Sequence, residues 1–368
     1  MKILHVNTHV DVGGIGQYIV TLTEALKDHG IDCVVASSGG DLESELQRYG
    51  ITHRYLNIDT KSELSPKVLK TIFGLSKIIK EEKVDLIHAH TRVSQVVSFF
   101  TSLKTGIPYV STCHGYFKAR IFRRYFDTWG KKVIAISDAV KTHLEKNFGI
   151  NEKRIELIYN GVDIDKFSVS YKREDIIKAK RTLRLKEGPV VGTMGRLSPV
   201  KGQRFLIEAM KYVISRRKDA QCLIIGGGAE ENKLKKLAKD IGLEESINFA
   251  GSNYSDIPLY LSCMDVFVLP SVEEGLGLAL LEAMSAGKSC IGSNVGGIGE
   301  VIQDGITGLL VPVGDVKAIG DAILKILDDK TLNEKMGSRG REFIKEKFSL
   351  SLMAEKMAGL YKEVISEK

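Results

Sequence analysis

Residues 266–284 read VFVLPSVEEGLGLALLEAM. A four-residue apolar run is followed by a glycine-rich turn that carries two glutamates, and then by a segment rich in leucine and alanine. An apolar run of this length is typical of a strand buried on both faces of a parallel sheet. The stretch therefore predicts a strand, a turn and a helix in direct succession, which is the repeating unit of an α/β fold.

Short apolar runs alternate with longer helical patterns along the whole chain, and the runs form two sets. Such alternation predicts two Rossmann-like, doubly wound domains. Helical patterns cover 17–28, 203–215, 230–240 and 278–285. The apolar runs are 3–6, 33–36, 86–89, 109–113, 133–136 and 155–159 in the first set, and 190–194, 222–225, 247–250, 266–269, 289–291 and 309–311 in the second.

The two sets of strands meet near residues 165–188, a stretch that is rich in lysine and arginine and has no strand pattern. We interpret it as a linker with a charged helix, whose cations form a solvated face. The predicted domains are 1–166 and 167–350. Residues 351–368 form an amphipathic helix, because Met353, Met357 and Leu360 recur at helical spacing.

The composition excludes several classes of protein. The chain has 368 residues, of which 43% are hydrophobic and 27% charged, as expected for a soluble globular protein. No apolar stretch is long enough to cross a membrane, and the polar N-terminus does not predict a signal peptide. The five cysteines form no CxxC pair, so we expect neither disulfides nor a zinc site, and a reducing cytoplasmic location.

The net charge of +7 favours anionic partners such as phosphates, nucleotides or acidic lipid head groups. No motif for nucleic-acid binding is present, so a nucleic-acid partner is not expected.

Two carboxylates in the opening stretch are candidate ligands of a nucleotide sugar. Glu274 lies in the glycine-rich turn and Glu282 in the helix that follows. Eight helical residues would span about 12 Å, close to the distance from a hexose to a ribose within such a donor. The alternative is that Glu274 only favours the helix dipole and Glu282 is a surface residue, although Glu282 has apolar neighbours on both sides.

Two further loops carry groups that suit a diphosphate. Residues 13–16, Gly-Gly-Ile-Gly, follow the first strand and open a helix, where free N–H groups face an anion. Ile19 breaks the dinucleotide-binding pattern, which disfavours a nicotinamide enzyme. In the second domain Arg196 and Lys201 share one loop at the carboxyl edge of the sheet, and the alternative is that they are two surface cations.

Three histidines follow or occupy strands of the first domain. His114 ends a strand at the ligand-binding edge, so it is either a site residue or a packed histidine. His88 and His90 point to one face of a strand. A metal is not expected there, because the sequence shows no third ligand.

These motifs resemble the retaining glycosyltransferases of family 4, which have the GT-B fold: two Rossmann-like domains facing a central cleft. Glu274 and Glu282 match the E-x7-E motif of that family. The resemblance covers nearly the whole chain and extends through residues 13–16, 160–163, 195–202, 295–300 and 304–312.

The resemblance implies roles for these residues. Arg196 and Lys201 would bind the donor diphosphate, Glu274 the donor sugar and Glu282 the ribose. The first domain would bind the acceptor, with the helix 351–368 packing back on it. Backbone groups of Gly275, Leu276, Gly277 and Leu278 would line the sugar and the phosphates. In the first domain Gly14 and Gly16 would close on the diphosphate. His114 would lie near the transferred sugar.

The implied reaction transfers a hexose from a nucleoside diphosphate sugar to a hydroxyl, with UDP expected rather than GDP and no metal or other cofactor. The acceptor would be a glycan or lipid-linked saccharide of the cell surface. Leu276, Gly299 and Gln17 depart from the residues frequent in the family and leave the sugar open. A nucleotide-sugar epimerase and a non-catalytic nucleotide-sugar binding protein remain alternatives.

The segment 116–132 combines basic residues with six aromatic ones. Such a segment either lies on an anionic membrane surface, making the protein a peripheral protein of the inner face, or is an ordinary packed helix with solvated cations.

Overall fold

The computed structural model describes residues 1–60, 62–63, 65–117, 126–252 and 256–367. The chain folds into two compact units. The first contains Met1–Gly161 together with Leu350–Lys368, and the second contains Val162–Ser349. The predicted boundary after residue 166 therefore lies inside the second unit, because the chain leaves the first unit at Gly161.

The first unit is a parallel sheet with helices packed against it, and its strands run in the order β3-β2-β1-β4-β5-β6-β7. The strands are β1 Lys2–Val6, β2 Asp32–Ser37, β3 Thr52–Tyr55, β4 Leu86–Ala89, β5 Tyr109–Cys113, β6 Val133–Ala135 and β7 Ile155–Leu157. The helices are α1 Gly14–Ala25, α2 Glu43–Arg48, α3 Pro66–Glu82, α4 Arg92–Thr105, α5 Asp138–Phe148 and, from the end of the chain, α15 Leu350–Ser366.

The second unit has a second parallel sheet, in the order β10-β9-β8-β11-β12-β13. Its strands are β8 Val190–Met194, β9 Gln221–Ile225, β10 Ile247–Gly251, β11 Val266–Leu269, β12 Ser289–Ser293 and β13 Gly308–Val311. Its helices are α6 Ile164–Phe167, α7 Arg173–Thr182, α8 Gln203–Arg216, α9 Glu231–Asp240, α10 Ile257–Ser262, α11 Leu278–Ser285, α12 Ile298–Val301, α13 Val316–Asp328 and α14 Lys330–Lys347.

The predicted fold class is confirmed, and each predicted apolar run falls on a strand. The strand β3 was not predicted, because its sequence, Thr-His-Arg-Tyr, is mostly polar and half-exposed. It pairs only with β2 among the described strands, at the edge of the sheet, where one face needs no apolar cover.

The last helix, α15, packs on α1 of the first unit. Met353, Met357 and Tyr361 are buried there in one core with residues of β1 and α1. The helical spacing of apolar residues that predicted this helix thus describes its buried face.

Glycine is required where the loop after β8 approaches the end of β11. Gly202 has a left-handed backbone, with φ of 65°, and a Cβ atom at this position would overlap the carbonyl oxygen of Pro270. Gly242, which follows α9, is also left-handed, with φ of 79°, but has open space around it.

We expect Gly202→Ala to destabilise the second unit more than Gly242→Ala. Both variants bear the backbone strain of a left-handed alanine, about 1–2 kcal/mol, but only the first also collides with backbone. Urea unfolding should give a loss beyond about 2 kcal/mol for Gly202→Ala alone. Equal losses for the two variants would show that the loop does not press on Pro270.

Candidate active site

The order of the strands in the second unit reverses at β8 and β11, which are paired neighbours. Two loops leave the carboxyl ends of these strands, 195–202 and 270–277. The helix after the first loop, α8, contacts β9, whereas the helix after the second loop, α11, contacts β11 and β12. Open α/β sheets bind ligands in the crevice at such a switch point. The residues predicted for the donor lie on these two loops and on α11.

An ion pair joins the two loops. The Nζ atom of Lys201 lies 2.6 Å from Oε2 of Glu274, and the hydroxyl of the buried Ser271 donates to the same oxygen at 3.0 Å. The lysine side chain is 25% exposed and the glutamate side chain 11%. The structure thus brings together a cation and a carboxylate that the sequence predicted as separate ligands, and both remain reachable from solvent.

Arg196 lies in the same loop as Lys201 and is exposed. Its carbonyl oxygen accepts a hydrogen bond from the Gln203 side chain at 3.1 Å, which fixes the backbone. Its guanidinium makes no hydrogen bond or ion pair with any residue that the structure describes, so it is free to bind an anion.

The helix α11 begins directly after Gly277, which has a left-handed backbone with φ of 98° and offers no side-chain cap. Its first-turn N–H groups therefore have no side-chain acceptor and carry the positive end of the helix dipole. The carbonyl of Glu274 accepts from Gly297 N–H at 3.3 Å, which ties the turn to the loop after β12. Leu276 is buried and anchors the turn, while Gly275 and Leu278 are half-buried.

Glu282 lies on α11 between the buried residues Leu281 and Ala283. Its burial raises the pKa of this carboxyl to about 7, and the nearby Lys166 on α6 opposes the shift. The estimate of about 12 Å between Glu274 and Glu282 assumed eight residues of continuous helix. That assumption is wrong, because the helix begins at Leu278 and residues 274–277 form a turn.

In the first unit the order of the strands reverses between β1 and β4. The loop after β1 leads into α1, which starts at Gly14 and also has no side-chain cap. A Cβ atom at Gly16 would overlap the carbonyl oxygen of Asp11, so only glycine allows this tight turn.

His114 follows β5 and is half-buried. Its Nε2 atom lies 3.2 Å from Nδ1 of His90, and the edge of the Tyr18 ring packs against it at 4.7 Å between centroids. Burial lowers the pKa of His114 to about 3, so its ring is neutral at neutral pH.

A chain of hydrogen bonds continues from His114 into the core. Nε2 of His90 lies 3.0 Å from Nδ1 of His5, and Nε2 of His5 is buried with no hydrogen-bond partner among the described residues. His88 lies beside this chain and binds the hydroxyls of Tyr361 at 2.6 Å and Thr112 at 2.7 Å.

The sequence interpretation missed His5, which supplies the third histidine to the pair His88 and His90. The ring nitrogens of the three lie within 4.8 Å of one another. Five of the six nitrogens are already engaged in the hydrogen bonds just given, so hydrogen bonding accounts for this cluster. The signal that could have revealed His5 was the parallel pairing of β1 with β4, which places His5 opposite His88.

The chain of hydrogen bonds ends at Nε2 of His5, which has no partner among the described residues, and this end determines which ring nitrogens carry protons. A buried N–H without a partner is rarer in proteins than a buried acceptor without one. His5 therefore carries its proton on Nδ1 and donates to His90, and His90 donates from Nδ1 to Nε2 of His114. His114 is left with its proton on Nδ1, where the ring is a hydrogen-bond donor.

The basic aromatic segment singled out from the sequence falls partly outside the described residues, because 118–125 lie outside them. Trp129 is described, and it is buried beneath the Arg92 guanidinium and against Phe148. Of the two interpretations of the segment 116–132, the position of Trp129 fits the packed one, while residues 118–125 of the segment leave the membrane interpretation a prediction.

Two family models match the chain. The model described as Glycosyltransferase Family 4 matches residues 12–166, and the one described as Glycosyl transferases group 1 matches residues 175–343. A UDP-Gal:alpha-D-GlcNAc-diphosphoundecaprenol alpha-1,3-galactosyltransferase of Escherichia coli is 30% identical over 82% of this chain and 81% of its own length. The chain belongs to the family 4 glycosyltransferases.

Other relatives match the glycosyltransferase over nearly its whole length. A GDP-mannose-dependent monoacylated alpha-(1-6)-phosphatidylinositol monomannoside mannosyltransferase of Corynebacterium glutamicum is 27% identical over 95% of this chain and 94% of its own. The crystal structure of a glycosyltransferase from Rickettsia africae aligns with a TM-score of 0.88 at 27% identity, covering 100% and 99% of the two chains. The predicted GT-B fold is confirmed.

In the part of the glycosyltransferase that the structure describes, no helix combines the length and the apolar character needed to cross a membrane.

We expect Glu282→Gln to stabilise the glycosyltransferase above neutral pH. The native carboxyl, with a pKa of about 7, holds a proton that the unfolded chain releases near pH 4.5. Stability therefore falls as pH rises through this window, and the glutamine variant escapes that loss. Melting temperatures should differ little at pH 4.5 and diverge by a few degrees at pH 8. Glu273→Gln changes an exposed neighbour in the turn, so its melting temperature should not diverge from that of the wild-type protein between pH 4.5 and pH 8. A divergence in Glu273→Gln as large as that in Glu282→Gln would show that the burial of Glu282 is not its cause.

The histidine chain predicts a definite proton position at His114. Ring ¹⁵N spectra at pH 7 should show His5, His90 and His114 neutral and protonated on Nδ1. His90→Phe should release His114 from this state, because its Nε2 partner is gone. A proton on Nε2 of His114 in the wild-type protein would contradict the assignment.

Proposed function

We propose that this enzyme transfers a hexosyl group from a UDP-sugar to a hydroxyl of a lipid-linked saccharide, in the synthesis of a cell-surface glycan. The relative that is 30% identical is named for a UDP-sugar donor and a diphosphoundecaprenol-linked acceptor, which supports this choice. The mannosyltransferase relative is named for GDP-mannose, so the nucleotide base is part of the proposal.

The observation that carries the proposal is the pairing of Lys201 with Glu274 at the switch point of the second sheet. Glu274 lies on the turn that leads into the uncapped helix α11, and the free guanidinium of Arg196 belongs to the same loop as Lys201. A diphosphate needs cations and N–H donors, while a sugar needs hydroxyl acceptors, and these three elements supply both.

Each residue has a role in this proposal. Arg196 and Lys201 bind the diphosphate, and the carboxylate of Glu274 accepts from hydroxyls of the sugar. Glu282 binds the ribose hydroxyls, and its raised pKa lets it serve both as donor and acceptor near neutral pH. N–H groups of residues 275–278 line the sugar and the phosphates.

In the first unit we assign two contacts that suit the groups of a nucleotide sugar. The N–H groups at the start of α1, around Gly14 and Gly16, bind phosphate oxygens, and Nδ1–H of His114 donates to a hydroxyl of the transferred sugar. The neutral state of His114 suits hydrogen bonding to an uncharged sugar, because no positive charge has to be desolvated.

The proposed step breaks the bond from the anomeric carbon to the diphosphate oxygen and forms the bond to the acceptor oxygen on the same face, which retains the configuration. The acceptor hydroxyl gives its proton to the departing phosphate oxygen. Negative charge on that phosphate grows during the step, and each preorganised donor contributes about 3 kcal/mol to its stabilisation. Arg196, Lys201 and the helix N–H groups supply that stabilisation in place of a metal ion or other cofactor.

Donor binding gives the first test, and the exposed ion pair of Lys235 with Glu231, also 2.6 Å long, provides the matched control. UDP at a hundred times its Kd should stabilise the native enzyme by about 2.7 kcal/mol and raise its Tm by several degrees. Lys201→Ala should lose most of that rise at the same concentration, whereas Lys235→Ala should keep it.

Turnover gives the second readout. UDP release from UDP-sugars should require a saccharide on a prenyl diphosphate, and Glu274→Ala should lower its rate at least a hundredfold while the protein stays folded. A Tm rise that Lys201→Ala retains in full, or near-normal turnover in Glu274→Ala, would refute the site. A rise with GDP alone would correct the base, and donor conversion without an acceptor would indicate an epimerase.

A further inference from the structure

Two helices of the first unit leave large apolar side chains in solvent. On α3, Leu69 is 65% exposed and Phe73 66% exposed, one turn apart. On α4, Phe100 is 40% exposed and Leu103 71% exposed, again one turn apart. We call these four residues, with the lysines that border them, the α3–α4 face.

The four side chains belong to one continuous surface, because α3 and α4 pack side by side. The Nζ atom of Lys104 on α4 lies 3.8 Å from the centre of the Phe73 ring on α3, which joins the two helices at this surface. Phe126 extends it, with its ring 6.0 Å from that of Phe100. Single exposed apolar residues are common in proteins, whereas a contiguous exposed apolar surface marks an interaction site.

The border of the face is basic. Lys70, Lys80 and Lys104 have no carboxylate within ion-pair distance in the described parts of the chain, and Lys77 has Glu81 at 3.8 Å. Glu81 and Glu82, at the end of α3, both pair with Arg54, and Glu63 pairs with Arg92. The face therefore carries uncompensated positive charge around an apolar centre.

A groove of about 410 Å³ between β3 and α3 continues the basic border. Four cations, Arg54, Lys67, Lys70 and Lys77, and one carboxylate, Glu81, contribute to its lining. Glu81 pairs with Arg54 and Lys77, so Lys67 and Lys70 are the cations of the groove that have no ion-pair partner among the described residues. Two of these lysines, Lys70 and Lys77, lie between the groove and the exposed phenylalanine of α3 on the helical wheel. Space and charge for an anionic head group thus adjoin the apolar side chains.

We propose that the α3–α4 face docks on an anionic phospholipid bilayer. Leucine and phenylalanine enter the boundary between head groups and acyl chains, while lysines around them attract the negative surface. A second copy of the chain fits this face less well, because a two-fold contact would bring the same lysines against one another. The docking surface is distinct from the donor site and does not depend on the proposed donor or reaction.

The test is flotation of the full-length protein with vesicles of phosphatidylcholine, with and without 30 mol% phosphatidylglycerol, in the absence of any sugar donor. The wild-type protein should float with the anionic vesicles, and 0.5 M salt should weaken binding because it screens the lysines. Phe73→Ser/Leu103→Ser and Lys70→Glu/Lys104→Glu should each reduce the bound fraction at least tenfold. Ile306→Ser, an apolar residue 48% exposed in the second unit, should leave binding unchanged.

The positions in the double variants are exposed, so the variants should keep the wild-type Tm and their turnover on a water-soluble, short-chain acceptor. Failure of the wild-type protein to bind anionic vesicles would overturn the proposal, and so would binding that survives both double variants. Binding that is kept in the double variants but lost in Phe122→Ser would place the docking surface in the basic aromatic segment instead. A wild-type dimer that Phe73→Ser/Leu103→Ser dissociates, without vesicle binding, would assign the face to a second copy instead.

Discussion

The ion pair between Lys201 and Glu274 is possible only because two adjacent parallel strands send their following segments in opposite directions. That divergence at β8 and β11 leaves a crevice at the carboxyl edge of the sheet. Gly202 then allows the first loop to lie directly against the backbone of Pro270, which brings the lysine within 2.6 Å of the glutamate. Cation, carboxylate and helix N-terminus are therefore held by backbone packing, and such rigid placement is what charge stabilisation in a transition state requires.

The first unit meets a different constraint, which is the burial of three histidines and a tyrosine beside the half-buried His114. Burial lowers the pKa of every ring in the chain from His5 to His114, and each ring then needs its neighbour as a hydrogen-bond partner. The hydroxyl of Tyr361 in the last helix is hydrogen-bonded to Nδ1 of His88, so α15 contributes a polar contact to the core as well as its apolar face. The orientation of His114 at the surface is thus set by groups that lie two strands away.

The sequence was sufficient to predict the fold and the separate loops, but not the contacts between segments that are far apart in the chain. Apolar runs and glycine-rich turns are local signals, so the strands, the start of α11 and the loops of Arg196 and Glu274 could be predicted. The edge strand β3 lacked that signal because its residues are polar. The partners of His90 and the burial of Trp129 depend on strands and helices far apart in the chain, and no local pattern encodes them. The exposed apolar side chains of α3 and α4 were also invisible, because a sequence does not reveal which turn of a helix stays uncovered.

We propose that the loops after β8 and β11 bind the diphosphate of the donor. A crystal structure with a UDP-sugar tests it most directly. We predict phosphate oxygens at about 3 Å from Nζ of Lys201 and from the Arg196 guanidinium, with the sugar hydroxyls against Glu274. A diphosphate bound away from both cations, with the Lys201–Glu274 pair untouched, would contradict it.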